Sequence, residues 1–252
     1  MLVVNMLLFH SLHIFLATKD KRLFYKRIGG ISLLVIIPIS FSLGLYSFYK
    51  EEGKPIEVVA LQPNIDPYKE KYSLSNEETI RLLLKLAEES VTDNTYFVLT
   101  PETVISEGVY QLEEISHSQE VTSLHTLLEK YPQLNWLVGI SIYQVVRDKS
   151  KIGAQSNYNP RQNYWFNDYN SAFLLNSFGI MGFHHKSKLV VGVEHMPLQG
   201  ILRPILGDIM IDLGGTIAVK TTQEIPSVLS SLSDEKVAPV ICYESIYGEY
   251  IT

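Results

Sequence analysis

A glutamate, a lysine and a cysteine each stand at the end of an apolar run in this 252-residue chain. Glu102 follows YFVLT and a proline, Lys186 stands in GFHHKSKLV, and Cys242 closes VAPVI. A thiol with the ordinary pKa of about 8.5 is mostly protonated near neutral pH. A carboxylate can take that proton. An ammonium can stabilise the thiolate and the oxyanion that forms on an attacked carbonyl. The three side chains together are a sufficient set for acyl transfer through a thioester. Singly they are weak signals, because a lone glutamate or lysine is usually solvated and a lone cysteine is usually a small core residue. Position raises them, since sites in open α/β sheets gather at the C-terminal ends of strands.

The elements that must hold these residues are legible in the hydrophobic pattern. IEVVALQ (56–62) reads as a buried strand, EETIRLLLKLAEES (77–90) as an amphipathic helix, and YFVLT (96–100) as a second strand. SLHTLLEKY (123–131) reads as a helix and NWLVGISIY (135–143) as a strand. YNSAFLLN (169–176) and GIMGFHHKSKL (179–189) form a hairpin pair, and VAPVICYE (237–244) reads as another buried strand. The polar stretch 144–168 is expected to be a loop. Alternating strands and helices predict an α/β domain with a helix-covered sheet. Cys242 is the one cysteine, so neither an intrachain disulfide nor a paired-cysteine metal site can form. The net charge of −6 argues against nucleic acid as a partner.

The N-terminus has a different character. Residues 1–17 and 29–49 carry no Lys, Arg, Asp or Glu, and the second run is long enough to cross a bilayer. Between them, Lys19, Lys21, Arg22, Lys26 and Arg27 face a single acid, Asp20. The pattern predicts a partial transmembrane helix (1–17), a cytoplasmic loop (18–28), a transmembrane helix (29–49), a linker (50–55) and a catalytic domain (56–252) on the outer side of the membrane. A signal peptide competes for residues 1–17, but a basic start and a clear cleavage site are not evident.

These motifs resemble the bacterial apolipoprotein N-acyltransferase family, whose members carry a nitrilase-like (carbon–nitrogen hydrolase) domain on a membrane anchor. The resemblance spans roughly residues 29–252. It rests on ALQPNI (60–65), TPETVI (100–105), YNSAFLLNSFG (169–179), HKSKLVVGVEHMPLQGILRPI (185–205) and ICYESIYGE (241–249), which follow one another in the family's order. It implies a nitrilase-like α-β-β-α sandwich, C-terminally incomplete, preceded by transmembrane helices. It implies Glu102 as general base, Lys186 as the transition-state cation and Cys242 as the acylated nucleophile. Lys186 is chosen over Lys188 by its spacing from Leu189. Glu194 falls on a second family glutamate that supports the site. Tyr243 and Glu244 follow the nucleophile, where backbone N–H groups help to hold the oxyanion. Two departures stand out. Val191–Gly192–Val193 replaces the family's Pro-Phe-Gly, and the chain stops ten residues after the nucleophile, so it is expected to be an inactive, aggregation-prone piece of a longer protein.

The implied activity moves a fatty acyl group from a membrane phospholipid to the N-terminal amine of a diacylglyceryl lipoprotein. The protein is expected to act as a monomer in the bacterial cytoplasmic membrane without metal or organic cofactor. The alternative is a nitrilase- or amidase-type hydrolase of C–N bonds with the same three residues. A non-enzymatic envelope-binding domain is a further alternative. His184 and His185 are expected to be structural or at the surface, Asp208 and Asp212 to be loop acids, and YGEYI (247–251) to pack ordinarily.

Overall fold

The structure is a computed structural model that describes residues 2–50, 52–66, 74–190, 194 and 219–251. Its contacts divide the chain into two units, Met1–Pro55 and Ile56–Thr252.

The first unit is two helices, α1 (Leu2–Thr18) and α2 (Lys21–Phe48). The expected basic loop of 18–28 shrinks to Lys19 and Asp20. Asp20 explains this: its carboxylate accepts from the N–H of Leu23 at 3.0 Å and starts the helix there. Lys21, Arg22, Lys26 and Arg27 therefore lie on the first turns of α2. Leu33, Ile36, Ile37, Phe41 and Leu43 are exposed along the helix. At 28 residues α2 is long and apolar enough to cross a membrane.

The second unit is built on a seven-stranded mixed sheet. Strands β1 (Glu57–Ala60), β2 (Thr95–Leu99) and β4 (Asn135–Val146) run parallel, and β3 (Ile105–Gln111) adds parallel to the far half of β4. β6 (Tyr164–Asn176) pairs antiparallel with β4 over 136–146. Its other edge takes β5 (Asn157–Asn159) and β7 (Gly179–His185). Helices α3 (Asn76–Ser90) and α4 (Gln119–Lys130) start at Ser75 and Ser118, whose hydroxyls accept from backbone N–H groups three residues on.

Side chains alternate across the sheet, as a pleat requires. Val98, Trp136, Val138, Phe173 and Leu175 join Leu83, Ala87, Leu124 and Leu128 of the helices in one core. Phe97 and Leu174 point the other way, onto Leu229. Leu229 belongs to a short ribbon of β8 (Leu229–Ser230) and β9 (Lys236–Val237).

Three expectations change. β1 is not buried: among the described residues it pairs with β2 alone, and Val58 is exposed. The polar stretch 144–168 is loop only in its middle: β4 runs to Val146, β5 takes 157–159 and β6 begins at Tyr164, so the β4–β6 ladder reaches Val146–Trp165. Their alternating aromatic and polar residues suit a half-open sheet rather than a core. The strand expected over 237–244 ends at Val237. Pro239 has no N–H for a ladder, and a 3-10 turn, Cys242–Ile246, starts at the cysteine.

Candidate active site

Glu102 is placed by a turn between β2 and β3, which pair in succession, both parallel, with β4. Thr100 donates its N–H to the carbonyl of Leu137 at 3.0 Å, and the N–H of Gly139 returns a bond to Thr100 Oγ1 at 3.1 Å. Thr103 then takes φ +48°, a left-handed conformation that swings the chain towards β3. Gly139 is required beneath this turn, because a Cβ there would stand 2.3 Å from the carbonyl oxygen of Pro101.

Lys186 comes from the strand across the sheet. Its N–H continues the β6–β7 ladder to the carbonyl of Asn170 at 2.8 Å. Its side chain is almost fully buried and places Nζ 3.1 Å from Glu102 and 3.0 Å from Glu194. Burial pushes the ammonium pKa down, but the two carboxylates outweigh it and hold the value above the usual lysine range. The N–H of Val190 binds the Glu194 carboxylate at 2.9 Å and so fixes it. Lys188, two residues along, instead sets its ammonium over the ring of Tyr247, 5.3 Å from the centroid.

Cys242 is exposed and opens its 3-10 turn at φ +49°. A non-glycine residue in this conformation costs of order 1–2 kcal/mol and turns its side chain outward from a sharp bend. Cys242 and Glu102 line the same cavity of about 210 Å3, together with Gly139, Ser171 and Ala172. No hydrogen bond joins the thiol to Glu102 or Lys186 in this geometry. A second cavity, of about 190 Å3, lies against the Glu102 turn and residues 62–65.

Tyr243 packs its ring edge-on against Tyr247, centroids 5.5 Å apart. Glu244 points into the core and is fully buried. Its carboxylate accepts from the N–H groups of Ile241 and Ser187, both at 2.7 Å, from the hydroxyls of Ser187 and Tyr250, and from His184 Nε2 at 3.1 Å. Burial would raise its pKa, yet these donors lower it from 4.5 to about 2.

Neither histidine is at the surface. His184 is fully buried. His185 stacks on Tyr169 at 4.1 Å and meets Ser171 Oγ at 2.6 Å; burial, then the neighbouring His184, push its pKa down to about 4. Asp208, Asp212, Val191–Gly192–Val193 and the apolar run 195–205 lie outside the described residues.

Asn170 is a site residue that the pattern of runs and motifs left unnoticed. Its Nδ2 donates to Glu102 at 2.5 Å and to Glu194 at 3.3 Å. Because both partners are carboxylates, the amide nitrogen must face them. The signal was present: Asn170 and Ser171 are a polar pair inside a run otherwise buried on both faces. Among the described residues, no group of three His, Cys, Asp or Glu side chains is arranged to hold a metal ion.

No curated protein matches the chain. Among solved structures, an amidase from Nesterenkonia sp. is similar at 14% identity, with a TM-score of 0.39 over 80% of this chain and 60% of the amidase. A single-residue mutant of the amidase from Nesterenkonia sp. AN1 is similar at 11% identity and TM-score 0.41, over 81% of this chain and 62% of its own; that structure shows covalent addition of the acetamide moiety of fluoroacetamide at the active-site cysteine. A glutamine-dependent NAD+ synthetase from Acinetobacter baumannii is similar at 12% identity and TM-score 0.37, over 70% of this chain and 27% of the synthetase. The chain thus spans about 60% of the length of the amidase. The profile of the carbon–nitrogen hydrolase family matches residues 57–252, from the first strand of the sheet through the cysteine turn, and the chain belongs to that family.

Proposed function

We propose that the chain is the anchored catalytic part of an acyltransferase that moves a fatty acyl group from a membrane phospholipid to the N-terminal amine of a diacylglyceryl lipoprotein. The observation that carries the chemistry is the meeting of Lys186 with Glu102 and Glu194 beside a cavity that Glu102 shares with the exposed Cys242. Glu102 takes the thiol proton. The thiolate attacks the ester carbonyl, the C–O bond breaks, and the departing alkoxide of the lysophospholipid takes the proton back from Glu102. The amine then attacks the thioester, passes a proton to Glu102, and the C–S bond breaks to release thiolate, which Glu102 reprotonates. Lys186 faces the negative charge that moves between sulfur and oxyanion. The backbone N–H of Tyr243 assists, while that of Glu244 is turned to the carbonyl of Ile241 at 3.1 Å. No step calls for a metal or organic cofactor.

The membrane assignment draws on α2, which ends at Phe48, with only residues 49–56 before the first strand. Both substrates are lipid-anchored, so a tethered site meets them at high effective concentration. The basic residues at the start of α2 orient that end to the cytoplasm, which puts the catalytic unit on the outer face of a bacterial cytoplasmic membrane.

The test is incubation of the full-length protein in vesicles with phospholipid carrying a labelled acyl chain. A hydroxylamine-labile label on Cys242, absent from Cys242→Ala, is expected; no trapped label sinks the proposal. The second reading is hydrolysis of a small C–N substrate, favoured by the family itself. It predicts ammonia or amine release without any lipid label.

A further inference from the structure

The acyl-transfer steps leave unused a buried group of polar side chains centred on Glu244. Glu244 stands two residues after the nucleophile, yet its carboxylate gathers donors from both sides of the site. Ile241 precedes Cys242, and His184 and Ser187 flank Lys186. One carboxylate therefore ties the cysteine turn to the segment that carries the lysine. His184 is itself fixed. Gln223 accepts from the N–H of His185 through Oε1, at 2.7 Å, and donates to the carbonyl of Ile225 through Nε2, at 2.6 Å, which sets its amide orientation. The same Nε2 donates to His184 Nδ1 at 3.1 Å, so the proton of the imidazole sits on Nε2 and is presented to Glu244. Meanwhile Cys242 holds a left-handed backbone conformation that only a well-determined surrounding can sustain.

We infer that His184 is a positioning residue: through Glu244 it locks the Cys242 turn in its left-handed form and fixes the spacing between the thiol and Lys186. The inference rests on Cys242 being the nucleophile and not on the identity of the acyl donor or acceptor. Neither His184 nor Glu244 reaches the cavity, so neither is a catalytic residue. Their effect is on geometry, where a displacement of about 1 Å costs roughly a hundredfold in rate.

The experiment measures the second-order rate of Cys242 alkylation by iodoacetamide in the full chain, with the thermal midpoint alongside and kcat and KM for acyl transfer where turnover is seen. Cys242 is already exposed, so loosening the turn cannot speed alkylation by uncovering it. His184→Gln retains an amide N–H near the Nε2 position. His184→Asn keeps an acceptor near Nδ1 but is too short to reach Glu244, and His184→Leu keeps neither. The expected result is alkylation within about threefold of the parent for His184→Gln and about tenfold slower or more for His184→Asn and His184→Leu, with loss in kcat rather than KM. Should His184→Leu fail to fold, His184→Asn and His184→Gln decide the matter alone. His184→Asn reacting at the parent rate overturns the inference. So does His184→Gln reacting as slowly as His184→Asn, because the bond to Glu244 would then be irrelevant. The expected alkylation contrasts with no acyl label would uphold this inference while the lipid substrate fails.

Discussion

Gly139→Ala is the smallest change that should disable the site without touching a reactive group. The added Cβ would stand 2.3 Å from the carbonyl oxygen of Pro101, 2.8 Å from the nitrogen of Thr103 and 3.0 Å from the Cα of Glu102. All three are backbone atoms, so no rotamer change relieves the clash. A tolerable C···O contact is about 3.3 Å, so the glutamate turn must withdraw by about 1 Å. Overpacking of this kind costs about 1–3 kcal/mol, and a shift of that size at a reacting group costs roughly a hundredfold in rate. Gly182→Ala is the matched control. Its Cβ would meet only the Leu229 Cδ2 methyl, at 3.1 Å, on a side chain that can swing away. Both substitutions restrict the unfolded chain equally, a gain of about 0.4–1 kcal/mol, so the difference between them isolates the clash. The assay is acyl-label formation on Cys242 with thermal midpoints for both variants. Matching behaviour of Gly139→Ala and Gly182→Ala in both measurements would refute the claim that the turn is seated on Gly139.

Two further outcomes follow from the same geometry. Glu102→Gln removes the proposed base and should lower thioester formation by about 10²–10⁴-fold while Glu194 still pairs Lys186, whereas Glu194→Gln takes the standing counter-ion from the buried ammonium and should cost about 3–5 kcal/mol of stability; matching losses for the two variants in both single-turnover label on Cys242 and thermal midpoint would show that the two acids are not distinct. Glu244 is ionised with a pKa of about 2 in the fold against an ordinary 4.5. Because the folded value is the lower one, its contribution of roughly 3 kcal/mol is complete above the unfolded pKa and is lost as pH falls towards the folded one. Glu244→Gln should therefore lose stability at neutral pH and flatten the acid limb between about pH 4.5 and 2, and an unfolding midpoint whose acid dependence equals the parent's would contradict this.

What the sequence disclosed was whatever repeats with a period. The amphipathic helix at 77–90 became α3 (Asn76–Ser90), and the hairpin about Ser177–Phe178 closes on Gly179 at φ +120°. Motif spacing singled out Lys186 over Lys188, and the structure buries the first among carboxylates and leaves the second over a tyrosine ring. Interactions between distant elements left no such mark. Nothing in YNSAFLLN says that Asn170 bridges Glu102 and Glu194, 68 and 24 residues away. His184 and Glu244 are 60 residues apart and meet only because β7 and the cysteine turn converge. The strand expected at 237–244 failed for a local reason: an apolar run was read without weighing Pro239 or the bend that turns Cys242 outward.

The presence of two glutamates on one lysine has a consequence for how such a site can work. Lys186 is buried and cannot be left unpaired without a large desolvation cost. If Glu102 alone were its counter-ion, protonating Glu102 would strand the ammonium at the moment the thiolate forms. Glu194 prevents that. Its side chain is 15% exposed against 33% for Glu102, and the N–H of Val190 holds it in place. Glu102 is the more open of the two and lines the cavity with Cys242. In the proposed mechanism Glu194 is the standing partner, so Lys186 would keep one negative neighbour throughout while the second negative charge passes from Glu102 to sulfur, then to the oxyanion, and back. A fixed ammonium beside both ends of that path is the kind of preorganised charge that stabilises a developing anion without rearrangement at the moment of reaction.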